Sequence, residues 1–180
     1  MTCIAGLVDK GAIILGADAA GVARSSLTVR ADLKVFARGV FVMGFTSSFR
    51  MGQLLRYRLS LPEHPDGLDS FEYMATAFVD SVRACLRDGG FATKNNEQES
   101  GGVFLVGYRG RLFRVESDYQ IAENVCGYDA CGCGQDIALG SLFSTPKKDA
   151  NDRVLLALKA AEQWSTGVRR PFSLIRLDKK

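Results

Sequence analysis

Histidine is nearly missing from this chain, with His64 standing alone among 180 residues. That scarcity narrows the chemistry. A hydrolase of the Ser-His or Cys-His kind would have to work through that one ring, and Leu61-Pro62-Glu63-His64-Pro65-Asp66-Gly67 reads as an exposed turn. Metal ligation suffers from the same shortage. Cys131-Gly132-Cys133 is too tightly spaced for a zinc knuckle and has no histidine to complete it, so neither a metal nor a cofactor is expected. The five cysteines make an odd number, which suits free thiols better than a disulfide framework. No apolar run reaches membrane-spanning length, and residues 1–8 lack the basic start and long apolar core of a secretory signal. A net charge of +3, with Lys and Arg scattered along the chain, argues against a nucleic-acid surface.

What remains is an ordinary globular composition, 47% apolar and 24% charged, expected in the cytoplasm. Residues 1–180 are expected to form one domain with a substantial core. Residues 2–8 and 12–18 are short runs, apolar or small on both faces, joined by Asp9-Lys10-Gly11; they read as a hairpin in a sheet covered on both sides. Residues 19–31 show no periodicity and read as a loop. A second hairpin turns at Gly39, and a helix follows with Leu54, Leu55 and Leu59. That helix, with Phe49, Met51 and Tyr57 as well, holds more apolar residues than one core-facing stripe needs, which points either to a partner or to deep burial. Asp69-Ser70-Phe71-Glu72 has capping-box spacing and opens a second helix that ends at Asp88-Gly89-Gly90. Residues 91–101 are polar and read as mobile. Strands return at 102–108 and 111–116, two helices start near Gln135 and Asp149, and residues 171–177 close as a strand. The order of hairpins and helix pairs suits an α+β sandwich of two sheets with a helical layer outside each.

The chemistry gathers at the start. Removal of Met1 is expected, and it would leave Thr2 with a hydroxyl and a free α-amine on one residue, a nucleophile with its own base. Asp18 stands sixteen residues after Thr2, and Lys34 thirty-two. Taken singly, each has a plain reading: a residue after the initiator, a turn aspartate, a snorkelling lysine. Their joint spacing resembles that of the proteasome β-subunits and HslV-type threonine peptidases, members of the N-terminal nucleophile (Ntn) hydrolases. Counting from Cys3 misses both spacings by one, which argues against a cysteine nucleophile.

The resemblance implies a four-layer αββα sandwich in which Thr2 is the nucleophile, Asp18 the orienting carboxylate and Lys34 the activating ammonium. It implies an oxyanion donor at the backbone of Ser47, where the family carries a glycine, with Ser48 as the one-residue alternative; a plain reading makes Ser47 the helix N-cap. It also implies that Cys133, Glu162 and Ser165 stand where the family has a Ser, an Asp and a Ser near the amine. For function the resemblance implies peptide-bond hydrolysis through an acyl-enzyme on Thr2, on peptide or unfolded-protein substrates. Self-association into rings and an unfoldase partner are implied with it, and neither nucleic acid nor membrane. Two alternatives stand beside this: a non-catalytic ring subunit of the same fold, and a small-molecule Ntn amidohydrolase.

Overall fold

The computed structural model describes residues 1–178, so Lys179 and Lys180, the end of the expected domain, lie outside it. In chain order the strands are β1 (Cys3–Asp9), β2 (Ala12–Ala17), β3 (Ala20–Ala23), β4 (Ser26–Val29), β5 (Val35–Arg38), β6 (Phe41–Phe45), β7 (Thr93–Asn95), β8 (Gln98–Ser100), β9 (Phe104–Tyr108), β10 (Arg111–Val115), β11 (Ile121–Glu123), β12 (Tyr128–Gly132) and β13 (Ser173–Leu177). The helices are α1 (Phe49–Tyr57), α2 (Ser70–Tyr73), α3 (Val79–Asp88), α4 (Gln135–Ser144) and α5 (Ala150–Trp164), with a π-helical turn, Met74–Phe78, joining α2 to α3.

Two antiparallel sheets carry the fold, one ordered β12-β1-β2-β13 and the other β11-β10-β9-β6-β5. Strand alternation sorts their side chains into three apolar layers. Ile4, Ile13, Leu15, Val42, Leu105 and Leu112 fill the space between the sheets. Cys3, Ala5, Leu7 and Ile14 point outward onto α4 and α5, where Val154, Ala157, Leu158 and Ala161 meet them. Met43, Phe45, Phe104, Val106 and Phe113 pack against α1, the π turn and α3. This is the four-layer αββα sandwich, and burial on both sheet faces explains why β2 and β9 read as unbroken apolar runs. Each fully buried Leu, Ile or Phe contributes about 1.5–3 kcal/mol, so the layers are mutually dependent.

Three expectations need correction, and one open between two readings falls to deep burial. Residues 20–29 are not an irregular loop but the β3–β4 hairpin, whose second strand is exposed throughout. Residues 93–100 form the β7–β8 hairpin, bridged to α3 by Arg83 and Glu99 at 3.1 Å. His64 is not in an exposed turn: its Nε2 donates to the Leu68 carbonyl (2.9 Å), its Nδ1 accepts the Tyr108 hydroxyl (2.8 Å), and its ring stacks on Tyr73. The apolar surplus of the first helix is largely internal, since Met51, Leu54, Leu55 and Leu59 are buried and only Tyr57, 72% exposed, faces outward.

Candidate active site

β1 begins at Cys3, so its register fixes the residue before it, Thr2. Cys3 pairs with Ala17's neighbourhood on one side, through Ile4↔Ala17, and with Gly132 of β12 on the other. Gly132 has φ 98°, and a β-carbon there would run into the Thr2 carbonyl, so only glycine lets β12 close this tightly on the first residues. β12 was not anticipated from the sequence, yet it delivers Cys133 to Thr2. The backbone N–H of Thr2 donates to Cys133 Sγ at 3.3 Å, and Cys133 Sγ lies 3.2 Å from Ser165 Oγ at the end of α5.

Asp18 follows β2 and is 2% exposed, with both carboxylate oxygens saturated. Oδ1 accepts from Cys3 N (3.0 Å) and Lys34 Nζ (2.8 Å); Oδ2 accepts from Ala20 N (2.8 Å) and Arg169 N (3.2 Å). Lys34, immediately before β5, is 1% exposed, and its Nζ also donates to Thr2 Oγ1 at 2.9 Å. Burial lowers the Lys34 pKa from its usual value, and the Asp18 carboxylate opposes that shift. The three residues singled out by spacing therefore meet through one ammonium, with no solvent between them.

Met1 remains attached to this arrangement. The Thr2 hydroxyl donates to the Met1 carbonyl oxygen, and the Met1 residue, 53% exposed, covers Gly167 beside Cys133. While that peptide bond stands, the Thr2 nitrogen is an amide and cannot act as a base. Thr2 and Lys34 open onto a cleft of about 310 Å3 walled by β3, β4 and the segment Phe45–Phe49.

Ser47 lies on that wall in the left-handed region, φ 57°, a conformation that costs a residue with a β-carbon roughly 1 kcal/mol. Its hydroxyl accepts from Val103 N at 3.0 Å, which holds the strained turn. The backbone N–H of Ser47 donates to no group among the described residues. The helix N-cap is Ser48, whose Oγ accepts from Arg50 N at 3.1 Å, so the reading of Ser47 as the cap is corrected.

Glu162 does not join the site. It accepts from the Arg170 backbone N–H at 2.8 Å and forms an ion pair with the Arg170 guanidinium at 2.6 Å, which holds its carboxyl below the usual range. Cys3 and Cys131 offer no alternative nucleophile: burial pushes Cys3 up to about 12 and raises Cys131 strongly as well. His64 belongs to the opposite end of the sandwich, since β6–β9 register places Phe41 with Tyr108 there and Phe45 with Phe104 near Ser47. No group of residues suited to a metal ion occurs among the described residues, and none of their helices is long and apolar enough to cross a membrane. The carrying contacts that sequence did not suggest are backbone ones, from Ala20 and Arg169 onto Asp18, together with the Arg30 side chain on the cleft wall.

No protein-family model and no curated protein matches the sequence. Solved structures do match. BPH from Thiobacillus denitrificans, in a structure with epoxomicin bound to that protein, aligns with a TM-score of 0.82 at 18% identity over 99% of each chain. Eukaryotic HslV from Trypanosoma brucei aligns at 0.70 and 12% identity, over 98% of this chain and 99% of that one. An Anbu mutant from Hyphomicrobium sp. strain MC1 aligns at 0.68 and 15% identity, over 100% of this chain and 84% of that one. With its four layers and this end-to-end correspondence, the chain has the Ntn-hydrolase fold that HslV, BPH and Anbu share.

Proposed function

We propose that the chain is catalytically silent while Met1 is attached, and that removal of Met1 converts it into a proteasome-like threonine peptidase acting through Thr2. The observation that carries this reading is the buried Lys34 ammonium shared between Thr2 Oγ1 and Asp18 Oδ1 at the edge of an open cleft. Once freed, the Thr2 amine takes the hydroxyl proton and Oγ1 attacks the peptide carbonyl. Lys34 stabilises the oxygen as it loses its proton, and Asp18 holds Lys34 in place. The unengaged Ser47 N–H receives the oxyanion of the tetrahedral intermediate. Collapse releases the amine half of the peptide and leaves an ester on Thr2, which water hydrolyses. Cys133 borders the Thr2 nitrogen and Ser165 holds Cys133 Sγ, so the pair keeps the freed amine toward Oγ1. Glu162 supports this corner at one remove, by fixing Arg170 beside the Arg169 N–H that binds Asp18.

A second reading rests on the same Met1: if it is never removed, the chain is a non-catalytic subunit of this fold. Under either reading the working unit is one domain, assembled into cytoplasmic rings that enclose the Thr2 side, with peptide or unfolded protein delivered by an unfoldase. Exposed Leu33 and Tyr57, which flank one groove beside α1, suit contacts between copies.

Intact mass establishes whether Met1 is present, and epoxomicin then tests the chemistry. Protein lacking Met1 will gain one inhibitor mass on Thr2, because ring closure with the epoxyketone uses both hydroxyl and amine; Met1-bearing protein will gain none. Labelling at Cys3 or Cys133 with Thr2→Ala fully active would overturn the assignment of the nucleophile.

The pH profile of kcat/KM in protein lacking Met1 follows from the two titrating groups. Activity will rise as the Thr2 amine loses its proton, an event that falls at about 7.7–8.0 for an unperturbed α-amine. It will fall again as Lys34 loses its proton, and because burial lowers that pKa the alkaline limb will lie below the ordinary lysine value of 10.5. A rate that stays flat to pH 10.5 would remove Lys34 from the mechanism.

A further inference from the structure

The cleft beside Thr2 is lined by two cationic side chains, Arg30 and Lys34, and by no carboxylate among the described residues. Lys34 is buried and committed to Asp18 and Thr2, so Arg30 is the cation a ligand in the cleft meets. Three features hold Arg30 there. Asp32 accepts from its Nε at 2.7 Å and its Nη2 at 2.8 Å, gripping one edge of the guanidinium. Phe49 lies beneath its flat face, 3.8 Å from ring centroid to Cζ. Gly21 on β3 makes room for the stem, since a β-carbon there would stand 2.7 Å from Arg30 Cδ. The Nη1 edge donates to no group among the described residues, and the side chain is 37% exposed.

We propose that Arg30 is a specificity-determining residue that selects peptides whose side chain in the cleft carries a carboxylate. The physical reason is a fixed, half-used fork. A guanidinium binds a carboxylate through two parallel N–H donors. Asp32 occupies one such edge and orients the other, so a substrate Asp or Glu finds a prearranged partner and displaces nothing. A bulky apolar side chain gains less, because Arg30 covers the face of Phe49 that it would otherwise stack on. A basic side chain meets a like charge. Ala23 and Thr28, small residues that also line the cleft, leave space for a side chain to extend toward the fork.

The proposal rests on the Thr2 cleft being a peptide site, and its test is made independent of turnover. Thr2→Ala protein is titrated calorimetrically with tetrapeptides that differ only in a C-terminal Glu, Gln or Lys, the product side of a cleavage. The Glu peptide is expected to bind tighter than the Gln peptide by about tenfold at low salt, as one charged hydrogen-bonded pair affords. Adding Arg30→Gln, which keeps the stem over Phe49, abolishes that preference, and adding Arg30→Glu transfers it to the Lys peptide. Equal binding of Glu and Gln peptides, a preference that survives Arg30→Gln, or no binding of either at millimolar concentration overturns the assignment. Failure of epoxomicin to label Thr2 in protein lacking Met1, with the Glu preference intact, would instead remove the peptidase reading and leave Arg30 as a carboxylate-binding residue.

Discussion

Asp18→Ala will lower the free energy of unfolding by about 3–5 kcal/mol, the range for breaking a buried ion pair from one side. The substitution strips Lys34 of its anion while leaving the ammonium in a site that is 1% exposed, where Thr2 Oγ1 is its remaining partner. It also removes the acceptor for three backbone donors, Cys3 N, Ala20 N and Arg169 N, which tie the start of β1 and the approach to β13 to the end of β2. Asp18→Asn separates these two losses. The amide keeps an oxygen for part of the backbone set but carries no charge, so its cost will fall between wild type and Asp18→Ala. Urea denaturation measures all three. A change below 1 kcal/mol for Asp18→Ala would mean that Lys34 escapes to solvent or loses its proton, and that the pair is not the anchor of this end of the sandwich.

The distribution of these contacts explains what could be read from the chain before its structure. β1–β2, β5–β6 and β9–β10 were legible because each is a pair of apolar runs around a turn that only a residue at positive φ closes, with Gly11, Gly39 and Gly110 supplying it. The triad of Thr2, Asp18 and Lys34 was legible by counting against the family's spacing, since Thr2 and Lys34 stand at the heads of β1 and β5 and Asp18 just past the end of β2, and they keep that spacing as long as the hairpins do. β12 was not legible. Its Ala130, Cys131 and Gly132 carry no strand signal of their own, and it is a strand because β1 offers it an edge and α4 covers it. The β3–β4 hairpin failed to register for a related reason: β4 is exposed on both faces, so no periodicity marks it, although its Thr28 lines the cleft. Glu162 was placed by analogy with the amine-holding groups, but its carboxylate is engaged by the guanidinium and backbone N–H of Arg170, eight residues on. Ser47, where the resemblance implies a glycine, adopts a glycine-like backbone despite its side chain. Its backbone takes φ 57°, with the hydroxyl engaged by Val103 instead of the helix.

Lys34→Met, in protein lacking Met1, will abolish peptide turnover, by about a thousandfold or more, while leaving the protein folded. The expected loss matches the removal of a preorganised charge at a reacting oxygen, about 10²–10³ in rate, compounded by the loss of the group that lowers the barrier to deprotonating Thr2. Methionine suits the test better than alanine because Lys34 is among the largest fully buried side chains, and an apolar stem of similar length fills the volume that alanine would leave empty. Stability will be less sensitive than in Asp18→Ala, for a reason visible in the geometry. Without Lys34 the Asp18 carboxylate still accepts from three backbone N–H groups, whereas without Asp18 the ammonium has no counter-charge. The remaining stability difference will depend on pH with a defined sign. Because the folded-state pKa of Lys34 is depressed below 10.5, the unfolded chain binds the extra proton between those two values, so the lysine's contribution rises with pH across that window and is lost as pH falls through the folded value. Wild type measured against Lys34→Met should therefore gain in relative stability toward alkaline pH. Turnover in Lys34→Met within tenfold of wild type, in protein shown by mass to lack Met1, would reduce Lys34 to a buried structural partner of Asp18 and leave Thr2 to rely on its own amine.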